Sequence, residues 1–446
     1  MPNCSNKSQK IMKFGVEFEF FTLDESGYMA NGSDRLIQRV KKKYPEVYIK
    51  RECGKNMVEI TTPPNIEIPN ATLKAIEDLE KVIECAREEN LILYSYGTYP
   101  GSFTPEFHSD KRYKAQEKIF GKQRFLINGR CIGLHIHYSL PWGVFDSLKK
   151  IIKPMLRSKN AESLVHIYNF CIAMDPAITA LTQSSPFYQG KFLAKDSRMV
   201  IYRGGQTFNY PEGVFANHPE FGALQDYKST NTDIIHAIAE RFENWSEIVQ
   251  KIGYNIYSLA KHGSIMDSAW NPVKINAHGT IEIRGMDMNH PDIIVAAAIL
   301  IKFILKTIQE KFLLVKPSDF GKSSPFKYDG KTILIPPSTY VRNELQYLSA
   351  YEGLANDTVC KYCSALVQLA KNFIPEKKQF LLKPFDDMLS ARQTASDRII
   401  KAVEYAGWDK EKLTPKEAAT LALELSLNLY DEIAIIKERL IKFLDN

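Results

Sequence analysis

Apolar and polar positions alternate in short runs along the first third of the chain, and stretches of helical period lie between them. In residues 13–23 (KFGVEFEFFTL) the alternation predicts a strand with Val16, Phe18 and Phe20 on one face and Glu17 and Glu19 on the other. Residues 48–51 and 57–62 predict two further strands, the second closed by Pro63-Pro64. A helix is predicted over 35–44, and from 72 to 89 Leu73, Ile76, Leu79, Ile83 and Ala86 recur as on an amphipathic helix packed against a sheet. A strand at 91–96 runs into a turn-rich, polar and aromatic stretch reaching about Arg130, whose length predicts a functional loop or lid. Residues 131–140 (CIGLHIHYSL) alternate again and put His135 and His137 on one face.

Residues 144–157 and 161–181 predict helices, the second bent at Pro176, followed by a loop with strand fragments over 183–205. Residues 232–259 read as mostly helical, 280–286 as a strand and 292–312 as a long helix. Pro317, Pro325, Pro336 and Pro337 punctuate a connector, and helical patterns then fill 339–446, with Thr414-Pro415-Lys416-Glu417 as a helix start. The pattern predicts an α+β protein with a boundary near 316, dividing residues 1–315 from a mainly helical region, 316–446. No internal repeat, GxGxxG or GxxxxGK[ST] is present, which disfavours solenoid, Rossmann and P-loop architectures.

Composition adds limits. With 44% hydrophobic and 25% charged residues among 446, the chain is that of an ordinary globular protein. The net charge of +6 is too small to point to nucleic acid, and the basic clusters Lys41–Lys43 and Lys377–Lys378 lack an aromatic platform. The first residues lack the apolar core of a secretory signal, and the apolar run 293–305 holds Lys302 and falls short of the ~20 residues that span a bilayer. A cytoplasmic protein with no membrane partner is expected. Seven scattered cysteines fit reduced thiols, and Cys360-x-x-Cys363 reads more readily as two thiols on one helical turn than as a redox or metal motif.

The chemistry sits on the strands. Glu17 and Glu19 lie either on the solvent face of an edge strand or on a ligand-facing surface, where like charges need a partner. The second reading gains from repetition: Glu59 interrupts an apolar strand (MVEI), and Glu282 and Arg284 share one face of TIEIR. A divalent cation explains acids on three strands economically, with Arg284 beside it to bind phosphate. His135 and His137 could suggest zinc, but no HExxH or cysteine set completes such a site, and a hard ion with an imidazole ligand suits the residue types better. Arg198 and Arg203, after the polar loop QSSPFYQG, either grip carboxylate or phosphate or form surface salt bridges.

Taken in order, Gly15-Val-Glu17-Phe-Glu19-Phe, Glu59, Gly133-Leu-His135-Ile-His137, Ser185-Pro186, Ser197-Arg198 and Thr280-Ile-Glu282-Ile-Arg284-x-x-Asp287 resemble the carboxylate-amine ligases of the glutamate–cysteine ligase family. The resemblance covers residues 13–310 and extends to glutamine synthetase, whose catalytic fold that superfamily shares. It implies a curved antiparallel sheet backed by helices, with ATP and Mg²⁺ or Mn²⁺ on the concave face. It also implies Glu17, His135 and Glu282 as ligands of the ion bridging the ATP phosphates, and Glu19 and Glu59 as ligands of a second ion. His137 and Arg203 would then contact ATP, Glu52 and Ser185 the substrate, and Arg198 and Arg284 the transferred phosphoryl group. The implied reaction joins a carboxylate, glutamate first, to an amine through an acyl phosphate. Gln183-Ser184 replaces the Ala-Asn that commonly precedes Ser-Pro in the family, which leaves the amine open, and a homo-oligomer is compatible with the sequence. The alternatives are a guanidino or carboxylate kinase, a non-catalytic nucleotide-binding protein and a metal-dependent hydrolase.

Overall fold

Strand β1 (Phe14–Leu23) is buried along nearly its whole length because it lies inside a sheet, with apolar side chains behind and carboxylates in front. A computed structural model describes residues 14–62, 68–155, 157–259 and 264–445; Cys4, Lys13 and Pro63-Pro64 lie outside the described residues. With β2 (Ile49–Arg51), β3 (Met57–Thr61), β4 (Ile92–Tyr94) and β5 (Gly133–Ser139), β1 forms one side of a seven-stranded sheet. Past the small hairpins β6 (Phe145–Asp146) with β7 (Ile151–Ile152) and β8 (Phe187–Tyr188) with β9 (Lys191–Phe192), the sheet is completed by β10 (Val273–Ile275) and β11 (Thr280–Asp287). Its order is β10-β11-β5-β1-β3-β2, with β4 also on β1, and every pairing is antiparallel.

Three helices, Ile68–Glu88, Lys159–Thr182 and Pro291–Lys311, cover the back of the sheet. Burying Phe14, Val16, Phe18 and Phe20 against them yields roughly 1.5–3 kcal/mol per side chain. The period of two thereby fixes which face of β1 carries the acids, since a one-residue slip would bury the acids among the helices. A second helical layer, including Asp357–Phe373 and Pro415–Asp445, packs on the first, and the core runs on across residue 316: Ile333, Leu366 and Leu421 belong to the same buried cluster as Phe18 and Leu300. Helix Lys159–Thr182 runs through Pro176; by length and apolarity it could cross a membrane, but 94% of its apolar window is buried inside the protein, as in a core helix. The Thr414 start is a reciprocal cap: Thr414 N–H donates to Glu417 Oε2 at 2.8 Å and Glu417 N–H to Thr414 Oγ1 at 3.3 Å.

Four sequence expectations are corrected. Residues 144–157 hold the β6–β7 hairpin rather than a helix, because Asp146 accepts the backbone N–H groups of Leu148 and Lys149, each at 3.0 Å, and closes a turn. The stretch to Arg130 is loop only as far as Asp110, which caps a helix Lys111–Phe120 by accepting the N–H of Arg112 at 2.7 Å. In the loop over 183–205, Asp196 caps a short helix, Ser197–Arg203. The proline-rich connector contains a parallel ladder of β12 (Leu314–Pro317) and β13 (Thr332–Ile335). Local side-chain capping decided three of these, and it is weak in a hydropathy pattern.

Candidate active site

The register of the four central strands, β11, β5, β1 and β3, gathers the chemistry. Glu17 lies opposite His135, Glu19 opposite Glu59 and Glu282 opposite His137, and their side chains line a cleft of about 500 Å³ on the sheet's open face. Two donor sets result, each with one ligand atom per residue and all three atoms within 4.8 Å: Glu17, His137 and Glu282, and Glu19, Glu52 and Glu59.

In the first set, burial would raise the Glu17 carboxyl, but the imidazoles of His135 and His137 beside it hold it well below the usual range. Glu282 is likewise buried, and Lys274 (3.4 Å) and Arg284 (3.0 Å) keep it ionised well below that range. His137 Nδ1 lies 3.1 Å from both Thr280 Oγ1 and Asn276 Nδ2, while the buried Nε2 has no hydrogen bond and faces Glu17 Oε1 at 3.5 Å. One ring nitrogen held and the other free is the arrangement of a metal-ligating histidine. The structure thus groups His137, not His135, with Glu17 and Glu282. His135 stands between the sets, with Nδ1 3.2 Å from Glu17 Oε2 and Nε2 3.6 Å from Glu19 Oε1.

The second set is richer in acid. Burial, with Glu59 beside it, pushes the Glu52 carboxyl well above its ordinary value. Lys50 Nζ neutralises part of the rest, at 2.5 Å from Glu59 and 3.8 Å from Glu17; burial would lower its pKa, but those acids raise it. The Gly133 N–H donates to Glu19 Oε2 at 2.6 Å and fixes that carboxylate.

Arg284 owes its position to a bulge. The β5–β11 register shifts between Ile283 and Met286, so that Arg284 and Gly285 together oppose His135. The bulge carbonyls are taken by Arg198, whose Nη1 donates to Gly285 O at 3.1 Å and Nη2 to Arg284 O at 3.3 Å. Arg198 also lines the cleft and retains a buried Nε without a hydrogen bond.

Arg203 and Ser185 are not brought to the cleft. Arg203 turns behind the sheet and forms a buried two-pronged pair with Asp175 at 2.6 and 2.9 Å, while Ser185 Oγ accepts the Arg198 N–H at 3.2 Å. Their expected contacts with ATP and substrate are replaced by support for the bulge and for Arg198. Sequence reasoning missed Lys50, Lys274, Asn276, Arg112, Tyr113 and Tyr202 in the lining. Lys50 and Lys274 stand opposite Glu59 and Glu282, so the signal was a lysine on a neighbouring strand, readable only once the pairing is known.

The sequence profile of glutamate-cysteine ligase family 2 (GCS2) matches residues 13–320. A glutamate–cysteine ligase of Halobacterium salinarum is 26% identical over 280 residues, which are 61% of this chain and 63% of that protein. A match to a Chromobacterium violaceum relative, 27% identical, covers 42% of this chain and 44% of that one. In fold the chain resembles a glutamate–cysteine ligase from Francisella tularensis solved with AMP (TM-score 0.58, 12% identity, covering 98% of this chain and 93% of that one). It also resembles a bifunctional glutathione synthetase from Pasteurella multocida (TM-score 0.54, 14% identity, 94% and 53%). The architecture is α+β, shared in fold with that glutamate–cysteine ligase, and the chain belongs to glutamate-cysteine ligase family 2.

Proposed function

We propose that this protein is an ATP-dependent carboxylate–amine ligase using Mg²⁺ or Mn²⁺, which activates the side-chain carboxylate of glutamate and joins it to an amine. The observation that carries this reading is the pair of three-ligand sets in one cleft with Arg284 and Arg198 beside them. Oxygen-rich sets with a single imidazole fit Mg²⁺ or Mn²⁺ better than zinc. When bound, such ions neutralise the triphosphate and polarise its γ-phosphoryl group.

Glu17, His137 and Glu282 would hold the ion on the nucleotide side, and Glu19, Glu59 and Glu52 the ion beside the acid substrate, with His135 spanning the two. Lys50, 40% exposed at its side chain, can withdraw into solvent when an ion takes its place. The substrate carboxylate oxygen attacks the γ-phosphorus and the bond to the β-phosphate oxygen breaks, giving an acyl phosphate and ADP. Arg284 and Arg198 stabilise the charge on the moving phosphoryl oxygens. The amine nitrogen then attacks the acyl carbon, phosphate leaves with the C–O bond pair, and the amine loses a proton. Tyr113, Tyr202, Trp245 and Trp270 in the cleft wall shelter the acyl phosphate from water. Six buried cysteines without a disulfide among the described residues suit a reducing cytoplasm.

The test is ADP release from Mg·ATP with glutamate, with and without a panel of amines headed by cysteine, with product masses read in parallel. Amine-dependent ADP and a condensed product are expected. ADP with a stable phosphorylated product and no need for amine would replace the ligase by a kinase.

A further inference from the structure

Gly133, at the start of β5, pairs with Asp287 across the β5–β11 ladder in ordinary strand backbone without a positive φ, so no turn or strained conformation demands a glycine there. A glycine without such a need loosens the unfolded chain and weakens the strand, and its common reason is the close approach of another group. What approaches here is Arg198. A Cβ at Gly133 would lie 2.2 Å from Arg198 Nη2 and 2.7 Å from Arg198 Cζ, with Met286 O at 3.1 Å. The guanidinium therefore fills the space of the missing side chain, and from there Nη1 and Nη2 reach the two bulge carbonyls, Gly285 O and Arg284 O. Arg198 is only 6% exposed, and the room it occupies is set by the strands beneath it.

The same residue serves the second donor set through its backbone, since the Gly133 N–H donates to Glu19 Oε2. The two roles are separable. An alanine keeps the N–H and with it the hold on Glu19, while its methyl group takes the place of the guanidinium. Of the atoms that methyl would meet, the end of a flexible side chain yields before the β11 backbone, so Arg198 moves and the sheet stays.

We propose that Gly133 is a positioning residue: its missing side chain gives the Arg198 guanidinium its place over β5, from which Arg198 holds the β11 bulge and so aims Arg284 at the transferred phosphoryl group. The proposal deepens the ligase reading and rests on it.

The experiment compares Gly133→Ala, Arg198→Ala and the double variant in the full chain. It reads ADP release from Mg·ATP with glutamate and the amine panel, Mn²⁺ affinity by isothermal titration, and melting temperature. Arg198→Ala should lower kcat by about 10²–10³-fold, as removal of a group that stabilises transition-state charge does. Gly133→Ala should lower kcat by at least about tenfold while the KM for glutamate changes by less than about threefold. Its Mn²⁺ affinity should equal that of wild type, because the N–H to Glu19 survives, and a general loosening of the sheet would not spare it. In the Arg198→Ala background there is no guanidinium to displace, so adding Gly133→Ala should lower neither kcat nor the melting temperature further. If Gly133→Ala alone does not fold, the double variant should. Wild-type kcat in Gly133→Ala, an equal kcat loss with and without Arg198, a parallel fall in Mn²⁺ affinity, or a double variant that does not fold would each overturn the proposal. A wild-type chain that releases no ADP in any combination would fail the ligase reading instead; the melting temperatures then decide whether Arg198 fills the gap at Gly133, and an equal drop in both backgrounds overturns that too.

Discussion

Two sets of buried charge lie on opposite sides of the β11 bulge, and they differ in how far the protein satisfies them. Behind the sheet, Asp175 and Arg203 pair through both of their prongs, and Arg203 Nη1 also donates to Gln346 at 2.9 Å. In front, the buried Nε2 atoms of His135 and His137 have no hydrogen bond, burial pushes the Glu52 carboxyl well above its ordinary value, and a half-buried lysine supplies part of the counter-charge. Buried charge matched within the protein holds the fold together, and buried charge left partly matched marks where a ligand belongs.

The sharpest way to break this contrast is to unmatch the rear pair. Arg203→Met should cost about 3–5 kcal/mol, read as a lower urea midpoint, and Asp175→Leu combined with it should recover most of the loss. The front set should behave in the opposite way. Glu17→Gln should lower turnover by about 10²–10³-fold and abolish the rise in melting temperature caused by Mg²⁺. Its stability should stay within about 1 kcal/mol of wild type, because the amide keeps a polar group of the same shape beside both imidazoles.

Gly285 touches both regions. A Cβ there would lie 2.4 Å from Asp175 Oδ1 and 2.8 Å from Arg203 Nη2, so Gly285→Ala should cost about 1–3 kcal/mol and also lower turnover by displacing Arg284. Normal activity in a destabilised Gly285→Ala would separate the two regions again. The smallest effect is a pH slope. Burial pushes the Asp287 carboxyl up to about 6 from 3.8, against Arg198 and the hydrogen bonds of Ser185 and Ser184. A raised folded-state pKa gives stability that is complete below 3.8 and lost as pH rises through about 6. Asp287→Asn should flatten that part of the stability profile measured by urea unfolding, and an unchanged slope would assign it to another group.

Much of the cleft's chemistry was legible in the sequence. Glu17, Glu19, Glu59 and Glu282 break strongly apolar strands, and a period of two is a local property that places them on one face without any knowledge of the fold. The histidines were legible as a pair but not in their roles, because those depend on which ring nitrogen Thr280 and Asn276 hold. Arg203 was misplaced for a similar reason: its neighbour Arg198 faces the cleft, and only the packing of Asp175 and Gln346 behind the bulge shows that Arg203 turns the other way.

The amino-acid sequence by itself determined the alternation of the strands, the long helices behind them, the capped start at Thr414 and the residue types of the cleft, because each arises from neighbours a few positions apart. Only the tertiary structure decided which acids share a donor set, where Lys50 and Lys274 stand, and that a bulge aims Arg284. Those depend on strand register and on contacts between residues up to hundreds of positions apart, and no local pattern encodes them.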